Sequence, residues 1–583
     1  MNRPLNFINT LLVVLFLTAG QGFAQVLNQK DSIILSAMQE ELENNMQNLR
    51  EDGFDQPFFI GYSVSDLDLK LASASFGALV SSKSTQNRDW NSRVMVGSYQ
   101  LNDENFTDSF EGSSNDVYYE NVPIGADYWG LRRVLWASTN NVYKRAARLF
   151  KQKRKAISDF KLEYPLSDFS QTPKYTYLDK AQSRLTSQEE LERRSQELSG
   201  YIAGFDSIQT ATAILTDIGA RNYYYNSEGT KVIENGQVTI GLLTISRVNG
   251  KNEVETTSLD YFGVGLAAFP SIETIKQDID WQVKHMEQSS SIEKLKEDYN
   301  GPVMLRGQAV ADFFRANLFK AGKGILPNRK SFNNKNEESA RQFFDDLEED
   351  MTDEDKVKIG NKQMKVTMLN KLSEFEGIQL IGAYEIDADG VVPPEELVLI
   401  EGGMIRQKIN GRVPAPYAPT STGSNRFSIA IGSVSNLIAP GVIKVDFENK
   451  VSEAELVASF NERILENDAE EGVVIEMPPL HSMSRPRQYF LQQVTDGSRR
   501  QVKKASFGYT RKNSLKKIIA VSEEYYVYNF LYGGNQYGGA NAGVPVSLIV
   551  PAAIVLRDSD VSKVNYKSKK LDTIVPQPGM AQE

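Results

Sequence analysis

"GPVMLRGQAVADFFRANLFKAGKG", residues 301–324, is the stretch that decides the fold. A Gly-Pro pair opens it, the strand-like VMLR follows, and a single glycine precedes a run with apolar residues at Ala309, Phe313 and Leu318. This pattern predicts a short buried strand that leads through a glycine into an amphipathic helix. The same helix carries Arg315, and Lys320 follows five residues later.

Length and composition place this stretch near the start of a second domain. The chain has 583 residues, of which 40% are apolar and 24% charged. This length exceeds that of one ordinary domain, and the composition is that of a globular protein. We predict an α+β protein with an N-terminal domain at 25–300 and a C-terminal domain at 301–575.

Periodicity distinguishes the two domains. The first contains helical spacing in KDSIILSAMQEELENNMQNLR and in a long basic segment from Asp127 to Phe160, between segments that alternate like antiparallel strands. We also predict turns at Ser227–Gly229 and Glu234–Gly236. The second domain has few helical patterns and is predicted to be mainly antiparallel β, beginning again at IQLIGAYEIDADG after a polar insertion at about 328–362.

The N-terminus predicts export. Arg3 precedes an apolar run from Leu11 to Leu17, and small residues precede a cleavage point after Ala24. We interpret residues 1–24 as a signal peptide that directs the chain to the periplasm or another exported location. An uncleaved anchor would need about 20 apolar residues. No membrane span is predicted after cleavage, and residues 576–583 are predicted to be a disordered tail.

Charge and residue usage exclude several classes of function. The net charge is −10, which does not favour a broad nucleic-acid-binding surface. The absence of cysteine removes thiolate nucleophiles, thiolate zinc ligands and disulfides. His285 and His481 are the two histidines, and two isolated histidines do not make a three-ligand zinc site without carboxylates.

One motif resembles a calcium loop. EIDADGVVPPEE places Glu385, Asp387 and Asp389 at the first ligand positions. Pro393 and Pro394 stand where the helix after such a loop should begin, and proline disfavours that helix. We therefore interpret Asp389-Gly390 as a hairpin turn.

Several segments together resemble the TldD/PmbA family of metallopeptidase-related proteins, historically called modulators of DNA gyrase. The central match is GPVMLRGQAVADFF. Supporting matches, in the order expected for the family, are RVMVGSYQLND, LWASTNNVYKRAARLFKQKRKA, YEIDADGVVP, STGSNRFS and GGNQYGGANAGVPVSLIVPAAIVLRD. The resemblance covers nearly the whole chain after residue 24.

The resemblance implies that a metal motif has been lost. In the catalytic branch of the family a His-Glu-x-x-x-His motif lies in this helix, and Arg315, Ala316 and Lys320 occupy the corresponding positions here. Arginine has no lone pair to give to zinc, and alanine cannot activate water. A lysine would have to lose its proton beside another cation. The chain then resembles the PmbA-like branch, which lacks the motif and pairs with a partner that has it.

This resemblance implies a non-catalytic subunit of a metallopeptidase assembly that binds and degrades unfolded peptides. We expect no cofactor in this chain and zinc in the partner, which is either a paralogue with the motif or a second copy. The residues expected at the cleft or interface are Gly307, Gln308, Gly538, Gly539, Asn541 and Gly543. Arg315 and Lys320 would form either a solvated helix face or a cationic patch for a peptide carboxylate.

Two alternatives stay open at this point. The chain could be an active metallopeptidase with unusual ligands, such as His285 with acids. It could also be a stand-alone peptide-binding or assembly protein. The sequence leaves open whether the chain is an enzyme.

Overall fold

The computed structural model describes residues 27–107, 122–163, 166–181, 183–249, 251–328, 331–335, 337–352, 357–430, 434–510, 513–534 and 541–565. The predicted signal peptide, the predicted tail, Gly538 and Gly539 lie outside these ranges. Within them the helices are α1 Gln29–Asn48, α2 Tyr128–Phe160, α3 Gln188–Ala203, α4 Ile272–Gln288, α5 Gln308–Leu318, α6 Glu337–Thr352 and α7 Glu453–Glu466. None of these helices is both long and apolar enough to cross a membrane.

The strands form three larger sheets and two small pairs. The first sheet contains β1 Pro57–Ser75, β2 Ala78–Val96, β4 Thr176–Leu178, β5 Ile208–Asn226, β6 Lys231–Val248 and β7 Val254–Gly263. The small pairs are β3 Phe106–Thr107 with β10 Phe332–Asn333, and β12 Glu374–Phe375 with β13 Ile378–Gln379. All the strands of the first sheet come from the N-terminal half of the chain.

The other two sheets come from the C-terminal half. The second contains β11 Met364–Met368, β14 Leu397–Glu401, β15 Met404–Ile405, β16 Asn425–Ala430, β17 Ser435–Ile438, β18 Val442–Phe447, β24 Tyr525–Tyr532 and β25 Asn541–Pro551. The third contains β8 Glu293–Lys294, β9 Tyr299–Arg306, β19 Glu471–Glu476, β20 Gln488–Gln493, β21 Arg499–Lys503, β22 Ala505–Phe507, β23 Ile518–Val521 and β26 Ala553–Lys563. Most pairings are antiparallel, as predicted, and β18–β25 and β9–β19 are parallel.

The two faces of the first sheet have different neighbours. Helices α1 and α2 cover one end of one face, where Tyr62 and Tyr223 of the sheet are buried. Helices α3 and α4 cover the other end of this face, where Ala72 and Leu243 are buried. The opposite face packs on the C-terminal half, with Leu67 and Val238 against Ile429. Because side chains alternate between the two faces of a strand, the same strands pack against the helices on one side and against the C-terminal half on the other.

Helix α5 lies between the second and third sheets. Its Phe313 and Phe314 share one core with Leu305 of β9 and with Val366 and Leu548 of the second sheet. Helix α7 covers the other face of the third sheet through Leu456, Phe460 and Ile464. The strand and helix predicted from residues 301–324 are therefore β9 and α5, at the centre of the C-terminal half.

Three sequence predictions differ from the structure. Glu234–Gly236 is not a turn, because β6 runs through it and Gly236 pairs with Ala220 of β5. The segment after Gln379 forms no strand until Leu397, and Asp389-Gly390 is a turn without flanking strands. There the Asp387 carboxylate accepts the backbone N–H groups of Asp389 at 3.0 Å and Val391 at 2.8 Å.

The polar insertion at about 328–362 packs on the N-terminal half of the chain. Its helix α6 buries Ala340, Phe343 and Leu347 in a cluster with Phe106 and Leu149 of the N-terminal half. Strand β10 pairs with β3 in the same region. The insertion thus connects the two halves, because its apolar side chains recur at helical spacing on one face.

Candidate functional site

The N-terminus of α5 requires a glycine. Gly307 precedes the helix with φ 55° and ψ −125°, a backbone conformation that side chains disfavour. Its N–H donates to the carbonyl of Ala552 at 2.7 Å, which fixes the helix start against the strand pair β9–β26. This turn aims the first polar residues of the helix, Gln308 and Asp312, at one region.

Gln308 and Asp312 are one helical turn apart and both are buried. The Gln308 Nε2 group donates to the Met483 carbonyl at 3.2 Å and to the Tyr528 hydroxyl at 3.3 Å. The Gln308 Oε1 atom accepts no hydrogen bond from the described residues. Nor does the buried Tyr509 hydroxyl have a hydrogen-bond partner in these ranges. Buried polar atoms without a hydrogen-bond partner are typical of sites that bind water or a ligand.

Three arginines act electrostatically on the Asp312 carboxyl. The Arg315 Nη2 atom lies 3.1 Å from Asp312 Oδ1. Burial raises the pKa of Asp312, and the positive charges of Arg315, Arg487 and Arg485 oppose this rise. The three guanidinium groups outnumber this carboxyl, so these four side chains have a surplus of positive charge even when Asp312 is ionised.

The loop 480–487 supplies two of these arginines. Arg485 is half-buried, and its guanidinium donates to the Ser482 carbonyl at 2.8 Å and to the Tyr526 hydroxyl at 3.4 Å. The Arg487 guanidinium lies over the Tyr509 ring, with its carbon 4.5 Å from the ring centroid. Planar guanidinium groups held in this way are preorganised to bind carboxylates.

Helix α4 of the N-terminal half anchors the loop. The buried Asp278 carboxylate accepts the N–H groups of His481 and Ser482, each at 2.9 Å, and lies 3.1 Å from the Tyr261 hydroxyl. The Ser484 hydroxyl donates to Asp260. Residues of the N-terminal half therefore hold in place the loop that carries Arg485 and Arg487.

An edge strand borders the same region. Among the described strands β24 pairs with β25 alone, so its other edge carries unpaired backbone groups. Tyr526 and Tyr528 of β24 face the core that contains α5, and burial raises the pKa of both hydroxyls. Arg315 lies over Phe530 of the same strand at 5.4 Å. An extended peptide can pair with such an edge.

The positions predicted from the sequence lie in different surroundings. Arg315 belongs to the site, Ala316 packs against the core, and Lys320 is exposed beyond the end of α5. Gly307 and Gln308 also lie at the site. Asn541 pairs with Ala430 and Gly543 with Ile429 through the backbone, in the ladder that joins β25 to β16.

Sequence reasoning missed Asp312, Arg485, Arg487 and the tyrosines. The positions of Gln308, Asp312 and Arg315, spaced by four and three residues, could have indicated a shared helix face. Nothing in the sequence near residue 485 indicates that it lies beside α5.

These residues do not fit a zinc ion. Arg315, Arg485 and Arg487 all act electrostatically on Asp312, and their positive charges would repel a dication. His285 stacks on Trp281 with ring centroids 4.7 Å apart, and burial lowers its pKa. Within the described ranges no three His, Cys, Asp or Glu side chains are close enough together to hold a metal ion.

Comparisons with known proteins bear on the fold. No protein-family model matches the chain. No curated protein matches it either. A crystal structure described as a candidate modulator of a DNA gyrase from Thermotoga maritima matches 90% of this chain and 100% of its own, with a TM-score of 0.50 and 11% identity. A candidate modulator of DNA gyrase from Bacteroides thetaiotaomicron covers 92% and 100%, with a TM-score of 0.50 and 10% identity.

A third structure, TldE from Thermococcus kodakarensis, covers 90% of this chain and 100% of its own, with 12% identity and a TM-score of 0.48, too low to assign a fold. The first two matches extend over both halves of the chain, and their low identity makes the likeness one of fold. The chain therefore has the fold of the structures described as modulators of DNA gyrase, and the resemblance predicted from the sequence is confirmed at the level of fold.

Proposed function

We propose that this protein is an exported peptide-binding subunit of the TldD/PmbA type, without hydrolytic chemistry of its own. The observation that carries the proposal is that Arg315 pairs with the buried Asp312 while Arg485 contacts the Tyr526 hydroxyl of the edge strand β24. Arg487 adds a third positive charge in the same region. Arginines recognise carboxylates, and a strand edge pairs with any extended backbone.

In the proposed binding mode an unfolded peptide lies along β24 and its C-terminal carboxylate reaches Arg485 and Arg315. Main-chain pairing makes the binding tolerant of sequence, while the arginines select the free chain end. A partner with the His-Glu-x-x-x-His motif, either a paralogue or a second copy of the chain, supplies zinc and the activated water. This chain shapes the cleft and holds the substrate.

The test compares two forms of one short unstructured peptide, labelled with a fluorophore at its N-terminus. One form has a free C-terminus and the other is amidated. We expect tighter binding of the free acid, measured by fluorescence anisotropy. Arg485→Gln should weaken binding of the acid about ten-fold, since a charge-assisted hydrogen bond is lost, and leave the amide unchanged. Arg315→Gln should act in the same direction.

Arg406→Gln is the matched control. Arg406 is an exposed arginine whose ion-pair partner is the exposed Glu401 at 3.5 Å. The Arg406→Gln variant should bind both peptides with the affinity of the wild type. Equal affinity for the acid and the amide, or an Arg485→Gln protein with unchanged affinity, would contradict the carboxylate site. Failure to bind either peptide would contradict peptide binding itself.

The non-catalytic role has its own test. Affinity purification from the native envelope should recover a related chain that contains His-Glu-x-x-x-His, and the pair together should cleave peptides in a chelator-sensitive manner. Chelator-sensitive cleavage by this chain on its own would show that it is an active metallopeptidase. Peptide binding without any such partner would favour the stand-alone binding protein.

A further inference from the structure

Helix α2 has a charge opposite to that of the whole chain. Its cations are Arg132, Arg133, Lys144, Arg145, Arg148, Lys151, Lys153, Arg154 and Lys155, and its acid is Asp159. The whole chain carries a net charge of −10. A helix this basic in an acidic protein concentrates positive potential along one edge of the molecule.

The outer face of α2 combines cations with exposed tryptophans. Trp129, Arg133, Trp136, Lys144 and Lys151 follow one another at spacings of three, four, seven or eight residues, so that they form one stripe along the helix. The opposite face is buried on the first sheet through Leu131, Leu135, Ala146 and Phe150. The stripe therefore points outward.

The exposure of the tryptophans is unusual for such large apolar side chains. Trp129 is 63% exposed and Trp136 is 55% exposed. Ile124, just before the helix, is 44% exposed. Large exposed apolar side chains grouped in one place mark an interaction surface. Tryptophan beside arginine and lysine is typical of side chains that enter the interface of a lipid bilayer.

A cationic recess lies at the other end of the stripe. A cavity of about 490 Å³ is lined by Gly53, Phe54, Asp55, Ala147, Lys151, Arg154, Lys155 and Ser158. Arg154 pairs with Asp55 at 3.0 Å and Lys155 with Asp159 at 2.6 Å. Lys151 lies over the Phe54 ring at 5.0 Å. The cations Lys151, Arg154 and Lys155 outnumber the acids Asp55 and Asp159 here, and the remaining positive charge suits the binding of a phosphate group.

Several cations of the stripe are available to a partner. Arg133, Lys144 and Lys151 are exposed, and none of them forms an ion pair with a residue in the described ranges. Because the helix rises 1.5 Å per residue, the stripe from Trp129 to Lys151 is about 33 Å long. A helix edge of this length is long enough to lie along a flat surface.

We propose that the outer face of α2 docks on an anionic phospholipid bilayer, with Trp129 and Trp136 in the interface and the recess at Lys151 against lipid phosphates. The exposed tryptophans and Ile124 favour a bilayer over a nucleic acid or an acidic protein, because only the bilayer offers an apolar layer beneath its charges. This inference goes beyond peptide binding and does not depend on it.

The experiment is vesicle co-sedimentation with the chain from Gln25 onward, so that the apolar run at Leu11–Leu17 takes no part; residues 1–24 precede the described fold. Binding to vesicles of phosphatidylcholine with phosphatidylglycerol is compared with binding to pure phosphatidylcholine. We expect binding to the anionic vesicles that weakens with salt. The triple variant Lys144→Gln/Lys151→Gln/Lys155→Gln should bind at least about ten-fold more weakly.

The matched control is Lys83→Gln/Lys296→Gln/Lys362→Gln, which removes the same charge from exposed lysines elsewhere and should bind like the wild type. A blue shift of tryptophan fluorescence on adding anionic vesicles should disappear in Trp129→Ser/Trp136→Ser. Circular dichroism is the check that each variant is folded. The proposal is overturned if anionic vesicles are not bound, or if both triple variants bind alike. Binding of heparin without binding of vesicles would assign the face to a soluble polyanion and overturn it equally.

Discussion

Arg412 of the C-terminal half holds Glu228 of the N-terminal half in a two-pronged ion pair. The Arg412 Nη1 and Nη2 atoms each donate to one Glu228 carboxylate oxygen at 2.6 Å. The guanidinium also donates to the Ser170 carbonyl at 3.0 and 2.7 Å and lies 4.1 Å from the centroid of the Phe169 ring. The Arg412 side chain is fully buried, so these partners replace its water.

Replacement of Arg412 should therefore destabilise the contact between the halves. Arg412→Met leaves the Glu228 charge without its partner, and we expect the free energy of unfolding to fall by about 3–5 kcal/mol. Denaturant unfolding followed by fluorescence measures this. Arg406→Met, at an exposed ion pair, should cost less than about 1 kcal/mol. Equal losses in the two variants would show that burial at Arg412 has no special effect.

Asp103 should make stability depend on pH. Burial raises its pKa to about 7, and the Val96 N–H, which the carboxylate accepts at 2.8 Å, opposes this. In the unfolded chain the pKa of this carboxyl is near 4. Between about pH 4 and pH 7 the folded chain therefore keeps a proton on Asp103 that the unfolded chain has lost. The stabilisation by this proton is complete below about pH 4 and is lost as the pH rises through about 7.

Asp103→Asn keeps an acceptor for Val96 and removes the titration. Relative to the wild type, this variant should gain on the order of 2 kcal/mol in free energy of unfolding between pH 5 and pH 8. Urea unfolding at a series of pH values gives the two curves. Parallel curves across this range would contradict the raised pKa.

Gly307→Ala tests the strained start of α5. At φ 55° and ψ −125° an alanine should cost about 1–3 kcal/mol, although the nearest side-chain atom to its Cβ, on Tyr526, would be 3.7 Å away. The melting temperature and peptide affinity should both fall, because the helix start also positions Gln308. Gly125→Ala, in open space and without a positive φ, is the control and should change little. A melting temperature equal to that of Gly125→Ala would exclude backbone strain at residue 307.

Asp278→Ala tests the anchor of the arginine loop. It removes the acceptor of the His481 and Ser482 N–H groups. We expect a loss of about 1–3 kcal/mol in stability and weaker binding of the free-acid peptide, because Arg485 is no longer held in place. Asp280→Ala, on the exposed side of the same helix, removes one hydrogen bond to Tyr201 and should leave the peptide affinity unchanged. A folded Asp278→Ala protein with wild-type affinity would separate the loop from the binding site.

Local patterns predicted much of the fold. The helices α1 and α2 were predicted from their apolar spacing, and β9 and α5 from residues 301–324. The turn predicted at Glu234–Gly236 was wrong, because this segment pairs with the neighbouring strand β5, where Gly236 lies opposite Ala220. Prediction failed again after Gln379, where alternating residues form a loop packed against the first sheet, with Ile386 and Ala388 beside Val232.

The sequence by itself determined the class of fold and the amphipathic character of the helix at residues 308–318, because side-chain period and polarity are local properties. Only the tertiary structure decided that the charges of Arg485 and Arg487, which lie more than 170 residues further along the chain, act on Asp312. Strand register and the Asp278 anchor bring them together, and both depend on packing between distant segments. Burial, which raises the pKa of Asp312 and makes its arginine partners matter, likewise exists only in the folded chain.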